Sequence, residues 1–336
     1  MSKIDVNIKE VAYQPKKDLQ SSKLILDING KDINNAVVNS LRLVSYLNVP
    51  TYGFCDQSIN ITFNDSVFNS DEMRSRLTQI IPPNVHVKSI HLPDKYWKNV
   101  DFSDPNHEKS PDDDKKIQLI LTAHNDTTSN MNVTTNHAKY IENGEEIPTK
   151  FSQKYPNLLI QLRPNESFRF VANAVLCTGE RGHNWSSVAS SWFVEKSPNH
   201  YTLTLKSQGQ MSEYEALVKA CKIIVKKIAD IQKKIDENYK NKVDANTRKL
   251  TIILDNEDHA MGNLISRTLQ DLPEVIFASY SKPDHLVKSI VLKIVSSKNP
   301  IDSLFIGLKH INYLYMALEK ELLKIGKKQL ESSKLI

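Results

Sequence analysis

Glycine is scarce in this chain, with nine in 336 residues. Loops that wrap a phosphate depend on glycine, because only a backbone without a Cβ can approach an anion closely. No G-x-x-x-x-G-K-[ST] loop, no G-x-G-x-x-G after a strand and no G-x-S-x-G elbow occurs, so nucleotide cradles and serine-hydrolase elbows drop out. Cysteine is scarcer still. Cys55, Cys177 and Cys221 lie far apart and form no C-x-x-C pair, which excludes a disulfide framework and a clustered-cysteine zinc site. No run of roughly 18 apolar residues is present, so no transmembrane helix is expected. Met1–Glu10 is polar and lacks the apolar centre of a signal peptide, and the expectation is an intracellular, soluble protein. Charge of one sign is also lacking. The 44 basic and 39 acidic residues leave +5, too mild a balance to argue for nucleic-acid binding by itself.

What is present is an ordinary globular composition, 40% hydrophobic and 25% charged, in a chain long enough for two or three structural units. Residues 249–285 are the most legible. Lys249–Leu254 is a short β-branched run that reads as a buried strand. Asp255–Asn256–Glu257–Asp258 turns the chain and sets carboxylates at a helix entrance, where the helix dipole favours them. Met261, Leu264, Ile265, Thr268, Leu269 and Leu272 mark one apolar helix face, Pro273 stops the helix, and Glu274–Tyr280 reads as a strand. Gly262 sits close to the packed face. A glycine inside a helix costs about 1 kcal/mol relative to alanine, so its presence predicts the close approach of another backbone.

Earlier in the chain, Lys23–Ile28 reads as a strand after a loose leader or edge strand over residues 1–22. Ile33, Val37, Leu41, Val44 and Leu47 recur at helical spacing, and Pro50 ends that helix. Thr51–Phe63 reads as strand. Residues 84–198 are different in texture: loop-rich from His86 to Asp114, with strands at Ile117–Ala123, Leu158–Leu162 and Phe168–Leu176 and a polar surface loop at Thr127–Asn136. Tyr201–Lys206 is a strand, and Tyr214 to Ile235 carries a helical stripe over about six turns. Asp236–Lys249 is polar and aperiodic, hence a linker. Val287–Val295 is a strand, and Asn299–Pro300 opens a second long amphipathic helix reaching Ile325. Both ends of the chain thus follow one plan of strand, short helix, strands and long helix.

The motifs themselves resemble a known family. D-N-E-D-H-A-M-G-N-L with P-E-V-x-F-A-x-Y-S-x-P, over residues 255–283, is similar to the signature of the small alpha-like subunit of cellular RNA polymerases, the eleventh-subunit or L type. Asn39–Thr51, N-S-L-R-L-V-S-Y-L-N-V-P-T, resembles the N-A-L-R-R-V…V-P-T helix of the large alpha-like subunit, the third-subunit or D type, with Leu43 where the family has a second arginine. Asn64–Asp–Ser–Val–Phe, Asp71–Glu72, Arg76–Leu77 and Ile81–Pro82 follow the order of that subunit's N-x-S-V…D-E…R-L-G-L-I-P element. Thr178–Val188 resembles its G-x-G-x-x-H-A-K-W-S-P-V loop, shortened between His183 and Trp185.

The resemblance implies a fusion of the two alpha-like subunits, as in nucleocytoplasmic large DNA viruses. The expected fold is α+β: two alpha-subunit-type dimerisation domains forming an intramolecular pseudo-heterodimer, with a β-rich insert in the first half. The implied domains are 1–83 with 199–236, an insert at 84–198, a linker at 237–248, and 249–336. The implied internal interface is Ile33, Val37, Leu41 and Val44 against Met261, Gly262, Leu264, Ile265 and Leu269. Arg42, Arg76, Arg181, His183 and Trp185 are implied contacts to a large subunit. Expected partners are the two largest polymerase subunits and small polymerase subunits, with DNA met only through the holoenzyme and no membrane or small-molecule substrate. A viral source would place the protein in the host cytoplasm and the virion.

No catalytic, metal or cofactor set is expected. The metal-binding cysteines of some family inserts are missing. Glu257, Asp258 and His259 are adjacent at a helix entrance and point in different directions, so capping explains them better than ligation. The expected role is a non-catalytic assembly platform. The alternative is a basic module that binds nucleic acid outside a polymerase, drawing on the lysines spread along the helix at 214–235.

Overall fold

A computed structural model of the chain describes residues 4–17, 20–104, 106–113, 115–239 and 247–331. Most of the expected linker, residues 240–246, lies outside the described residues. In chain order the elements begin with β1 (Asn7–Gln14), β2 (Lys23–Asn29), α1 (Asn35–Leu47), β3 (Thr51–Gly53), β4 (Ile59–Asn64) and α2 (Ser70–Thr78). There follow β5 (Ile117–His124), β6 (Met131–Thr134), β7 (Lys139–Glu142), β8 (Glu145–Ile147), β9 (Leu158–Leu162), β10 (Ser167–Asn173) and β11 (Val175–Cys177). The chain continues with β12 (Val188–Ser197), β13 (His200–Ser207) and the long helix α3 (Glu213–Asn238). It closes with β14 (Lys249–Asp255), α4 (His259–Gln270), β15 (Val275–Ser281), β16 (Ser289–Ser296), α5 (Pro300–Ile325) and α6 (Lys327–Leu330). The result is an α+β fold with several antiparallel sheets.

Two sheets frame the helices. The first has the order β1-β2-β13-β12, the second β14-β16-β15, and every pairing in both is antiparallel. Period-two burial aims Leu24, Leu26 and Ile28 of β2, and Leu250, Ile252 and Leu254 of β14, at the helices. Helix α1 packs on β12 of the first sheet and α4 on β15 of the second. Between them α3 lies along α5 and α1 against α4, so one core runs without a break from Ile8 through Val49 and from Val188 through Leu330. Side-chain caps set the helix starts: Asn34 accepts from the Val37 N–H, Ser212 from Glu215 and Asn299 from Ile301.

A second core, from Tyr52 to Trp185, belongs to the segment between the two parts of the first sheet. Its largest sheet has the order β4-β10-β5-β7-β8. This second core begins before the expected insert bound of 84 and ends before that of 198. Strand β4 bonds to β10, and Met73 and Leu77 of α2 lie in the same second core, whereas β12 bonds to β13 in the first sheet. The cores divide the chain near residues 50 and 187. Two further expectations change. Thr51–Phe63 is not one strand: a 3-10 turn at Asp56–Ser58 splits it, sending β3 to β11 and β4 to β10. Thr127–Asn136 is not wholly loop, since β6 pairs with β9 and buries Val133.

Gly262 is buried, but it does not face the neighbouring half. A Cβ there would stand 2.5 Å from Tyr280 Cδ2 and 3.0 Å from Ile290 Cδ1, both on the sheet beneath its own helix. The internal-interface assignment of Gly262 is therefore corrected: the glycine lets α4 settle onto β15 and β16. The glycine at the crossing of the halves is Gly326, at the end of α5, where a Cβ would lie 2.6 Å from Tyr214 Cδ1 on α3. Replacement Gly262→Ala gains helix propensity yet forces the Tyr280 ring aside. Chemical denaturation should show a net loss of about 1–3 kcal/mol from this overpacking, and a stabilised variant would contradict the packing.

Candidate functional site

The residues with functional weight lie where the halves meet and around the cleft beside that contact. On α1, Ile33 at the helix entrance and Val37, Leu41 and Val44 are buried, as are Met261, Leu264, Ile265 and Leu269 of α4, all in the same core. The two helices touch through small groups. Ser40 Oγ donates to the Ala260 carbonyl at 3.2 Å. From α5, Tyr315 OH donates to the Val37 carbonyl at 2.9 Å in a fully buried position. Burial pushes that phenol well above its ordinary pKa, so it remains a donor at any ordinary pH. A buried hydroxyl without a partner would cost about 1–3 kcal/mol, and this bond fixes α5 in register over α1.

Polar and charged pairs ring the apolar contact and also cross it. Lys222 of α3 meets Glu319 of α5 at 3.6 Å, His310 of α5 meets Asp32 at 3.4 Å, and Lys227 of α3 meets Glu257 at 3.4 Å. Glu257 is thus more than a dipole partner at a helix entrance. Burial raises its pKa, with Lys227 opposing the shift. Asp258, by contrast, caps α4 through the His259 N–H at 2.7 Å and pairs with Lys282 at 3.1 Å. Burial opposes ionisation of Asp258, but those contacts outweigh it and its pKa is lowered. His259 is held by the Tyr280 hydroxyl at 3.4 Å. The three adjacent polar residues therefore have three different partners, which separates them as ligands. Among the described residues no cluster of His, Cys, Asp or Glu is arranged to hold a metal ion.

A cleft of about 870 Å³ opens where three parts of the chain converge. Leu43 and Leu47 of α1, Trp97 and Arg181 of the middle segment, and Met261 and Leu286 of the second half line it. The middle segment is locked in place here by Glu180 and Lys288, 2.6 Å apart. Burial pulls the Lys288 pKa down, yet Glu180 and neighbouring carboxylates prevail and raise it. Farther along α3, the fully buried Lys219 pairs with Glu215 at 3.2 Å and donates to the Val87 carbonyl at 2.7 Å. An unpaired ammonium could not be tolerated at that depth, so the segment around Val87 is tied to α3.

The five expected large-partner contacts separate into two groups. Arg42 is half-buried on α1, with Nε and Nη2 donating to Asn39 Oδ1 at 3.2 and 3.0 Å. No carboxylate among the described residues pairs with it, and burial lowers its pKa. Arg76 and His183 are exposed, Arg76 reaching the Leu158 carbonyl at 3.4 Å and His183 the Tyr46 hydroxyl at 3.4 Å. Arg181, half-buried, and Trp185, buried, make their hydrogen bonds within the chain. Arg181 donates to the carbonyls of Trp97 and Val100 at 2.6 and 3.0 Å and stacks over Phe102. Trp185 is buried, its indole N–H donating to the Val175 carbonyl at 3.0 Å. Both residues fasten the Thr178–Val188 loop to the second core.

Sequence reasoning missed the outward sheet faces. On β12, Trp192 and Val194 point away from the helices, as do Ile253 of β14 and Phe277 of β15, and all four are 42–56% exposed. The single alternation on β12 and a β-bulge between Val275 and Phe277 hid the pattern.

The RNA polymerase Rpb3/Rpb11 dimerisation domain model matches residues 249–321. "Putative DNA directed RNA polymerase subunit R470" of Acanthamoeba polyphaga mimivirus is 28% identical over 312 residues, covering 87% of this chain and 85% of that protein. DNA-directed RNA polymerase subunit Rpo11 of Saccharolobus solfataricus is 39% identical over 64 residues, 18% of this chain and 70% of the relative. Rpo11 of Sulfurisphaera tokodaii is 49% identical over 47 residues, 14% of this chain and 50% of the relative. No helix among the described residues is long and apolar enough to cross a membrane.

His91 lies beside the three-way junction, and burial with Lys226 and Lys227 nearby lowers its pKa to about 4. Between that value and the ordinary 6.5 the unfolded chain binds a proton that the folded chain does not. The contribution is full above about pH 6.5 and is lost as pH falls toward 4. Urea melts should show a His91-dependent loss of about 2–3 kcal/mol over this window, discounted for partial solvent access. His91→Gln should flatten that limb, and an unchanged slope would count against the buried neutral ring.

Proposed function

The chain belongs to the Rpb3/Rpb11 type of DNA-directed RNA polymerase subunit, and from that premise we propose that it joins both alpha-like subunits in one polypeptide as the assembly platform of the polymerase. The first sheet with α1 and α3 takes the third-subunit part, residues 249–331 take the eleventh-subunit part, and together they form an intramolecular pseudo-heterodimer. Residues from about 50 to 187 are the insert of the first part. The likeness to the mimivirus protein along most of the chain, beyond the matched dimerisation domain, supports this division.

One observation carries the reading. The helix faces that would pair two separate subunits are already buried against each other within this chain, while both sheets keep apolar side chains on their outer faces. The protein has completed its internal pairing and still presents surfaces for others. Its work is then done by contact area. The partners are the two largest polymerase subunits, which hold the catalytic centre, and small polymerase subunits. Arg42, Arg76 and His183 remain contacts to a large subunit, whereas Arg181 and Trp185 support that surface from within. DNA is reached only through the assembled enzyme. In a virus the protein would act in the host cytoplasm and travel in the virion.

Arg42 offers a direct test, since a guanidinium with only a neutral intramolecular acceptor is suited to an interface ion pair. Reconstitution of the full chain with the two largest subunits should yield a stable complex, and the chain alone should lack nucleotidyl transfer. Arg42→Ala should leave the melting temperature within about two degrees while weakening capture of a large subunit. Unimpaired assembly would remove Arg42 from the contact set, and no complex with the unaltered chain would overturn the platform reading.

A further inference from the structure

The outer face of α5 carries a pattern that the internal pairing leaves unused. Ile306, Lys309, Tyr313, Met316 and Lys320 follow at spacings of three, four, three and four. On a helix that series is a narrow seam, the spacing by which one helix accepts the side chains of another. All five side chains are exposed. Ile306 is 44%, Tyr313 47% and Met316 51% exposed, although the opposite face of the same helix is fully buried against α3, α4 and the second sheet. An exposed aromatic and two exposed aliphatic side chains in register differ from the scattered single apolar residues of an ordinary surface.

We infer that this seam docks an amphipathic helix of another polypeptide whose apolar positions are interrupted by carboxylates. The two lysines identify the chemistry. Lys309 and Lys320 have no carboxylate partner among the described residues, and a partner helix covering the seam would desolvate both ammonium groups. That is tolerable only if it brings acidic groups opposite them. Direction follows as well. The seam begins beside the exposed Asp302 and ends in Lys320 and Lys324, the latter sharing Glu321 at 2.5 Å. A helix is stabilised by acidic residues in its own first turns, so the partner's N-terminal end lies beside the basic C-terminal end of α5, and the two run antiparallel. A second copy of this chain does not fit. Antiparallel self-pairing about Tyr313 sets Lys309 against Met316 and Lys320 against Ile306, leaving four lysines buried without a counter-charge. The inference is independent of which surfaces hold the large polymerase subunits.

The test uses the full chain with methyl-labelled methionine and isoleucine. The probe is a synthetic helical peptide of about three heptads, with leucines at alternating spacings of three and four and glutamates facing Lys309 and Lys320. The Met316 and Ile306 methyl signals should shift saturably, while the other methionines stay in place. Lys309→Glu combined with Lys320→Glu should weaken binding by about tenfold or more, and a peptide with lysines replacing the glutamates should recover binding to that variant. The inference is overturned if Met316 does not shift, or if the lysine peptide binds the unaltered chain as well as the glutamate peptide does. It is equally overturned if phosphatidylserine vesicles, or a higher concentration of the chain itself, reproduce the shift in place of the peptide.

Discussion

The structure depends on covering two apolar helix layers. Each sheet carries helices on one face, and those helices also turn buried apolar side chains toward the other half. Alone, either half would leave the stripe of α3 or α5 in water at a cost of about 25 cal/mol for each Å² of apolar surface. Packed together, they bury α1, α3, α4 and α5 in one continuous core. The small groups at Ser40, Ala260 and Gly326 set how closely the helices approach, and Tyr315 sets their register. The pairs Lys222–Glu319 and Lys227–Glu257 are largely shielded from solvent, so desolvation offsets much of their attraction and they add specificity more than stability.

The second core is attached to this frame by different means. Its contacts with α3 and the second half run through charged and polar groups: Lys219 to Val87 and Glu180 to Lys288. Such contacts are directional and fix an orientation, whereas an apolar contact tolerates sliding. The middle segment is therefore a separately packed body held at a set angle to the helix layer, and the junction cleft exists because three parts of the chain meet there. Family membership rests on the sequence matches.

Much of the frame was legible in the sequence because it follows simple periods. The long stripes at 214–235 and 301–325, the short helix ended by Pro50 and the strand at 249–254 all appear as α3, α5, α1 and β14. Less regular signals were harder to read. Strand β12 follows a loop and carries exposed Trp192 and Val194, so its alternation marks two useful faces at once. Strand β6 is four residues long with only Met131 and Val133 apolar, and only its pairing with β9 reveals it. Gly262 was read as the close approach of another backbone, whereas its near neighbours are the side chains of Tyr280 and Ile290 in its own half. A glycine announces that something lies near it, and the direction comes from the three-dimensional angle of its helix. Trp185 and Arg181 illustrate the same limit, because a motif gives residue type and order without telling which side of the chain becomes the inside.

The central claim is that the two halves form a unit through the helix layer and need no covalent link once folded. Cutting the folded full-length chain at a protease site engineered within residues 240–246 addresses it directly. The cut protein should elute from a sizing column as one species of unchanged size and unfold in a single transition under denaturant. Two folded fragments eluting separately under native conditions would contradict it.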